Sequence, residues 1–301
     1  MDLHYLCIGK NSIADSSGWI PKVKIFQSLY NFNFLLNTTM WLISSSIGRK
    51  FVMALTGACL VLFVTFHCLM NGVALFWPNG YNAGCEFLGA NWYALVASAG
   101  LALLFIIHII YATWLTLQNR RARGADRYAV AGAAPGVEWS SKNMLVLGIV
   151  VLAFLVVHLI QFWAKMQLAE IIGEEYVYNG VAVDPANGMA FIYIAFSQIW
   201  TPIVYIIGFV ALWFHMNHGF WSMMQTVGWD GDTWMPRLKT IACWWTSIVV
   251  GLFIIQAVVF TVRANSCCDA KECVAAEEVV ETTCSIIVAE DAPCASDSIC
   301  E

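Results

Sequence analysis

Residues 44–76 read SSSIGRKFVMALTGACLVLFVTFHCLMNGVALF. After the charged pair Arg49 and Lys50 come about 25 residues almost free of charge, the length a helix needs to cross a hydrocarbon layer of roughly 30 Å at about 1.5 Å per residue. A run of that kind restricts the segment to a membrane helix, since only a helix or a closed barrel satisfies its own backbone in lipid. Ser44, Ser45 and Ser46, just ahead of it, are expected caps. Within it stands His67. An ionisable side chain inside a spanning helix is costly and by default marks a working site.

Composition extends this reading to the whole chain. With 60% hydrophobic residues, 12% charged residues, 14 tryptophans in 301 residues and a mean hydropathy of +0.69, the chain is too apolar to cover a soluble surface. A net charge of -5 says little, because much of the acid lies in the C-terminal tail, and no basic domain points to nucleic acid. Apolar run length predicts five spans, at about residues 51–76, 91–117, 144–166, 190–223 and 241–262. The fold class expected is an all-α membrane bundle. Arg120, Arg121, Arg123, Arg127 and Lys142 fall between the second and third spans, and Arg237 and Lys239 between the fourth and fifth, whereas residues 77–90 hold no Lys or Arg. By the positive-inside rule these two loops and the N-terminus are cytoplasmic and the C-terminus lies outside.

Residues 1–39 are mixed in character and lack a long apolar run or a cleavage site of the signal-peptide type. They read as an N-terminal extension, with Met40 an alternative start. The domain proper is residues 40–263. Residues 264–301 form an acidic tail with Cys267, Cys268, Cys273, Cys284, Cys294 and Cys300. Their spacing lacks the paired pattern of a zinc site, and disulfides would persist on the outer side.

Four consecutive spans carry histidines: His67, His108, His158, and on the fourth both His215 and His218. His67 lies 17 residues past Lys50 and His158 lies 16 past Lys142. Both therefore stand roughly 24 to 26 Å from the basic face. His108 is 12 residues before Arg120 and His215 is 10 before Gln225. These two stand roughly 15 to 18 Å from the same face, so the four sort into two pairs at levels about 9 Å apart. Paired neutral imidazoles from facing helices suit a low-spin haem held edge-on in a bundle, and two pairs suit two b-type haems. Zinc or copper would gather its ligands at one level. A proton relay is the competing reading, disfavoured by the scarcity of intramembrane carboxylates. Gly219, one turn beyond His215, would let a planar group lie near the backbone and favours His215 as ligand. His218 is then a hydrogen-bonding neighbour of the haem or, in the reverse assignment, the ligand itself.

Further residues are candidates for lesser roles. A quinone needs a proton donor or acceptor and an aromatic wall near the haem edge, which suggests Glu86, Asn91 and Trp92. Trp92 and Trp77 also suit an interfacial aromatic belt, and Glu86 a solvated acid. Arg49, Lys50 and Arg120 suit haem propionates, a partner subunit or ordinary snorkelling. Cys59, Cys68 and Cys243 read as small apolar fillers, and the fifth span, with Trp244 and Trp245 but no histidine, as packing.

The stretches SSIGRKFVMALTG and FHCLMN, HIIYATWLTLQNRRAR, SKNMLVLGIVVLAFLVVHLIQFW and FHMNHGFWSMMQTVG, in that order, carry a family resemblance over residues 40 to 263. The chain resembles the cytochrome b membrane-anchor subunit of succinate dehydrogenases and fumarate reductases, in the single-chain, five-helix, dihaem form that works with menaquinone. The resemblance implies haem iron ligated by His67 with His158 and by His108 with His215, the last as the histidine four before a glycine. It implies a flavoprotein (FAD) subunit and an iron-sulfur subunit on the cytoplasmic side, with the dicarboxylate site on the former. Electrons would pass through the haems to or from quinone. Localisation would be a bacterial inner membrane, and the setting a respiratory chain or tricarboxylic acid cycle. Some fumarate-reducing relatives carry a proton-conducting glutamate two residues before the fourth ligand; here that position is Trp213, so charge movement without that route is expected. Anchors of hydrogenases or formate dehydrogenases, also haem-bearing bundles, are the nearest alternative.

Overall fold

The computed structural model describes residues 44–89, 91–123 and 139–266. The 1–39 extension lies outside these residues, as does nearly all of the Cys-rich tail. The chain divides into Met1–Arg49 and Lys50–Glu301. In the first unit, Ser45 Oγ accepts the Gly48 N–H at 2.8 Å and caps the opening turn. The second unit holds the helical bundle.

Five helices are long and apolar enough to cross a membrane. This is a multi-pass, all-α membrane protein. Helix α1 is Ser46–Phe76, and a short helix α2, Pro78–Phe87, comes directly after it. Helix α3 is Trp92–Arg123. Helix α4, Trp139–His158, passes without a break into a π-helical stretch, Leu159–Leu168, and a last α turn, α5, Ala169–Ile172, closed by Gly173 in the left-handed region at φ 71°. A two-stranded hairpin comes next, β1 (Tyr176–Tyr178) against β2 (Val181–Val183), with Tyr176 opposite Val183 and Tyr178 opposite Val181. Its two-residue turn is Asn179-Gly180, at φ 54° and 89°, the pair of positive angles that suits strand twist and that Asn-Gly supplies at low cost. Helices α6 (Gly188–Phe196), α7 (Trp200–Thr226) and α8 (Trp234–Ser266) complete the chain.

The expected fourth span, residues 190–223, is corrected by this arrangement. A continuous helix through Pro202 would leave the Gln198 carbonyl without its donor and crowd it with the proline ring. The chain instead breaks at 197–199, the Gln198 carbonyl takes the Thr201 N–H at 3.0 Å, and Pro202 falls in the first turn of α7, where its missing N–H costs nothing. Apolar run length could not register so short a break. Helix α6, too short to cross a membrane, is buried on nearly every side chain. The other helices outrun the expected spans, because hydropathy counts only the apolar part of a helix that continues past the lipid.

Helix α7 packs on both α4 and α8. Gly208 permits the first contact, since a Cβ there would overlap the Phe154 ring. In the second, Phe209 of α7 stacks on Phe253 of α8 at 5.2 Å, and Met189, Ile192 and Phe196 of α6 join the same core. Helix α8 lies against α1 through polar bonds: Gln256 Nε2 donates to the Cys68 carbonyl at 3.0 Å, the Cys68 thiol to the Val249 carbonyl at 3.4 Å, and Arg263 to the Leu75 carbonyl at 3.1 Å. Of the most apolar window of α8, 39% is buried in the protein; of that of α3, only 6%. Helix α3 thus packs only lightly on the other described helices.

Candidate functional site

The histidines of four spans meet in two pairs. His67 on α1 and His158 at the end of α4 have ring centroids 5.7 Å apart, with planes at 86°. His108 on α3 and His215 on α7 have centroids 6.3 Å apart, with planes at 68°. Each pair joins two different helices, first with third and second with fourth.

The hydrogen bonds around the rings fix where their protons lie. The Tyr205 hydroxyl donates to Gln161 Oε1 at 2.9 Å, and Gln161 Nε2 donates onward to Thr201 Oγ1 at 3.1 Å. With its proton committed, the Tyr205 oxygen is left to accept, and His158 Nδ1 stands 3.2 Å from it. That nitrogen therefore carries the proton of the neutral ring, and Nε2 keeps its lone pair. The same logic holds at the second level. Thr56 Oγ1 donates to the Val52 and Met53 carbonyls at 2.9 and 3.1 Å, and so accepts from His108 Nδ1 at 3.2 Å. His67 differs: Asn71 Nδ2 lies 3.3 Å from its Nε2 and donates to it, so that nitrogen carries a lone pair which the amide engages. His215 Nδ1 is buried with no hydrogen-bond partner among the described residues.

Two imidazoles on opposite sides of one metal ion, each with a bond of about 2.0 Å and a ring centre about 1.2 Å beyond its nitrogen, have centroids about 6.4 Å apart. The separation of 6.3 Å matches that figure and that of 5.7 Å is shorter than it, and the tautomer that Tyr205 and Thr56 impose leaves a lone pair on Nε2 of His158 and His108. Among the described residues no three of His, Cys, Asp and Glu gather, so each level offers two nitrogens and nothing that would complete a zinc shell. Around the first pair stand aromatic rings: Phe63 stacked on His67 at 5.6 Å, Phe253 at 6.1 Å, and Phe154 and Phe162 at 6.1 and 5.2 Å from His158. At the second pair the approach is by backbone. A Cβ on Gly57 would lie 3.7 Å from the His108 ring and one on Gly148 would lie 3.6 Å from the His215 ring, so α1 and α4 pass close by.

These contacts correct the separation of the levels. Gly57 and His67 on α1, Gly148 and His158 on α4, and Tyr205 and His215 on α7 each mark the two levels on a single helix, ten residues apart in every case. Ten residues rise about 15 Å, against the 9 Å expected. Counting from basic side chains carried a different offset into each helix, because snorkelling charges sit at different depths; contacts along one helix carry none.

The remaining candidates are spread more widely. Gly219 has nothing within 4 Å of its ideal Cβ position, leaving open space beside the backbone one turn past His215. His218 packs edge-on against Trp221 at 4.5 Å and belongs to neither ring pair. Trp213 donates to Ser247 Oγ on α8 at 3.0 Å and so faces the fifth span. Glu86, Asn91 and Trp92 lie at the turn between α2 and α3, all exposed, with the Asn91 amide donating to the Phe87 carbonyl at 3.2 Å. Lys50 and Arg120 are exposed at helix ends. Cys68 is buried as a filler should be, whereas Cys59 is half-buried and Cys243 exposed. Trp244 is exposed, whereas Trp245, also exposed, donates to Thr65 Oγ1 on α1 at 3.3 Å.

Sequence reasoning missed Thr56, Tyr205, Gln161 and Thr201. Thr56 precedes His67 by 11 residues, three turns along the same face, and Gln161 is an amide inside an apolar run, so both left a trace. Tyr205 left none, since a tyrosine in a spanning helix is unexceptional. Comparison with family models, with curated proteins and with solved structures returns no match.

Proposed function

We propose that this chain is the cytochrome b membrane anchor of a succinate:quinone oxidoreductase, a succinate dehydrogenase or fumarate reductase, passing electrons between an iron-sulfur subunit and membrane menaquinone. The observation that carries the reading is the pairing of four imidazoles of the apolar helices at two levels, with ring centroids 5.7 and 6.3 Å apart, each pair drawn from the helices that the resemblance pairs. His67 and His158 would hold one b-type haem toward the outer side, and His108 and His215 another toward the cytoplasm. Each haem would supply a reversible one-electron centre.

The chain's own part is to hold and shield. Tyr205 and Thr56 keep the Nδ1 protons of His158 and His108 in place, so each ring presents Nε2 without first shedding a proton. Phe63, Phe154, Phe162 and Phe253 exclude water from the outer level, which favours the less charged state of a centre placed there. The basic residues that follow α3 and α7 in the sequence support, by the positive-inside rule, a cytoplasmic N-terminus in a bacterial inner membrane, on the side where the flavoprotein and iron-sulfur subunits would dock. With Trp213 turned to α8, no carboxyl stands before the fourth ligand, and quinone chemistry on the outer side would move charge without a compensating proton path through that position.

Purification of the complex under mild detergent, with its soluble subunits identified, tests the reading. Recovery of a flavoprotein and an iron-sulfur protein with succinate-to-quinone activity is expected. A hydrogenase or formate dehydrogenase partner would reassign the anchor, and no redox partner with no haem would refute it.

A further inference from the structure

Beside the outer histidine pair lies a groove of about 400 Å³, between the π-helical stretch, the hairpin and the start of α7. We propose that this groove, rather than the turn bearing Glu86, Asn91 and Trp92, binds the ring of the quinone; the proposal rests on the electron-transfer reading above. The volume lies in the usual range of small-molecule sites. Its inner wall is Gln161, only 8% exposed, which bonds Tyr205 and through it His158. A ligand seated there is separated from the ligating imidazole by two hydrogen-bonded side chains.

The polar groups suit a planar ring with carbonyl oxygens on opposite edges. The Gln161 amide gives one hydrogen to Thr201 and has a second for a carbonyl. Lys165, an ammonium on a spanning segment, is held at the groove by the Tyr176 hydroxyl at 2.9 Å and over its ring at 4.7 Å, where it can donate to the other oxygen. Trp200 supplies an aromatic wall. The π-helical stretch begins directly after His158, and such wide turns recur at functional sites. Ile160, lining the groove, is 59% exposed and Ile199 beside Trp200 is 82% exposed, so the mouth is apolar on its outer side and open to a lipid-dissolved molecule.

The test uses the intact detergent-solubilised complex with a photoreactive azido-naphthoquinone, adduct mapping by mass spectrometry, and a haem spectrum of the same sample. Adducts within residues 157–165 and 194–200 are expected. Labelling at limiting probe should fall at least about tenfold in Lys165→Met, which removes a charged donor while keeping the stem, and also in Gln161→Leu. Both haem bands should persist in Lys165→Met, whose altered group is outside either histidine pair, so a folding failure of Gln161→Leu would leave the test intact. Adducts on residues 86–92 with both haems present would overturn the groove and leave the proposed function standing. Groove labelling unchanged in Lys165→Met would also overturn it. Groove labelling that Lys165→Met abolishes, in a preparation without haem, would support the site and refute the electron-transfer reading.

Discussion

Two acceptors decide which nitrogen of an imidazole carries its proton. Thr56→Val keeps the volume of the side chain and removes the oxygen that holds His108 Nδ1–H, so haem affinity at the inner level should fall by about 10- to 100-fold. Titration of haem into the depleted protein checks it, with the outer site unaffected. Tyr205→Phe does the same to His158 and also leaves Gln161 Oε1 without its donor; the outer site alone should weaken. The histidines were legible in the sequence because an imidazole in an apolar run has no cheap explanation. Thr56 was silent for a physical reason: a threonine in a spanning helix usually spends its hydroxyl on its own backbone, as this one does with Val52 and Met53, and only the geometry reveals that the same oxygen also accepts from another helix.

The elements were legible by length and obscure at their joints. Five apolar runs foretold five spanning helices, but the break before α7 turned on Pro202, and the hairpin turned on Asn179-Gly180, a two-residue signal inside a stretch read only for hydropathy. The close approach of α4 and α7 depends on Gly208. Gly208→Val should force Phe154 and the α7 backbone apart and destabilise the protein by about 1 to 3 kcal/mol. A lowered thermal midpoint in detergent checks this; an unchanged midpoint would mean the two helices do not pack through that face. At the start of α6, Asn187 Oδ1 accepts the Ala190 N–H at 3.0 Å. Asn187→Ala should cost about 1 kcal/mol by the same assay, and the loss of its bond from Asn82, at 3.1 Å, adds to it.

On the scale of the second unit, the four histidine-bearing spans supply the two ring pairs, and α8 packs against both α7 and α6. The short helix α2 is fastened to α6 through Tyr81 and Cys85, which face Gly188. Burial pushes both the Tyr81 hydroxyl and the Cys85 thiol above their ordinary values of 10.0 and 9.0. Folded groups that hold their protons more tightly than unfolded ones contribute fully below the ordinary value and lose that contribution as pH rises past it. The thermal midpoint should therefore decline above about pH 9, and Cys85→Ala should soften the decline. A midpoint that stays level through alkaline pH would place these groups in water.

The claim on which the rest depends is that the two imidazole pairs each hold a haem. Haem content per chain in the purified complex, by reduced-minus-oxidised and pyridine haemochrome spectra, tests it most directly. Two b-type haems are expected in the native protein, one in His67→Ala, one in His215→Ala, and two in His218→Ala. An intact native protein with no haem, or a His218→Ala variant that loses one while His215→Ala keeps both, would contradict it.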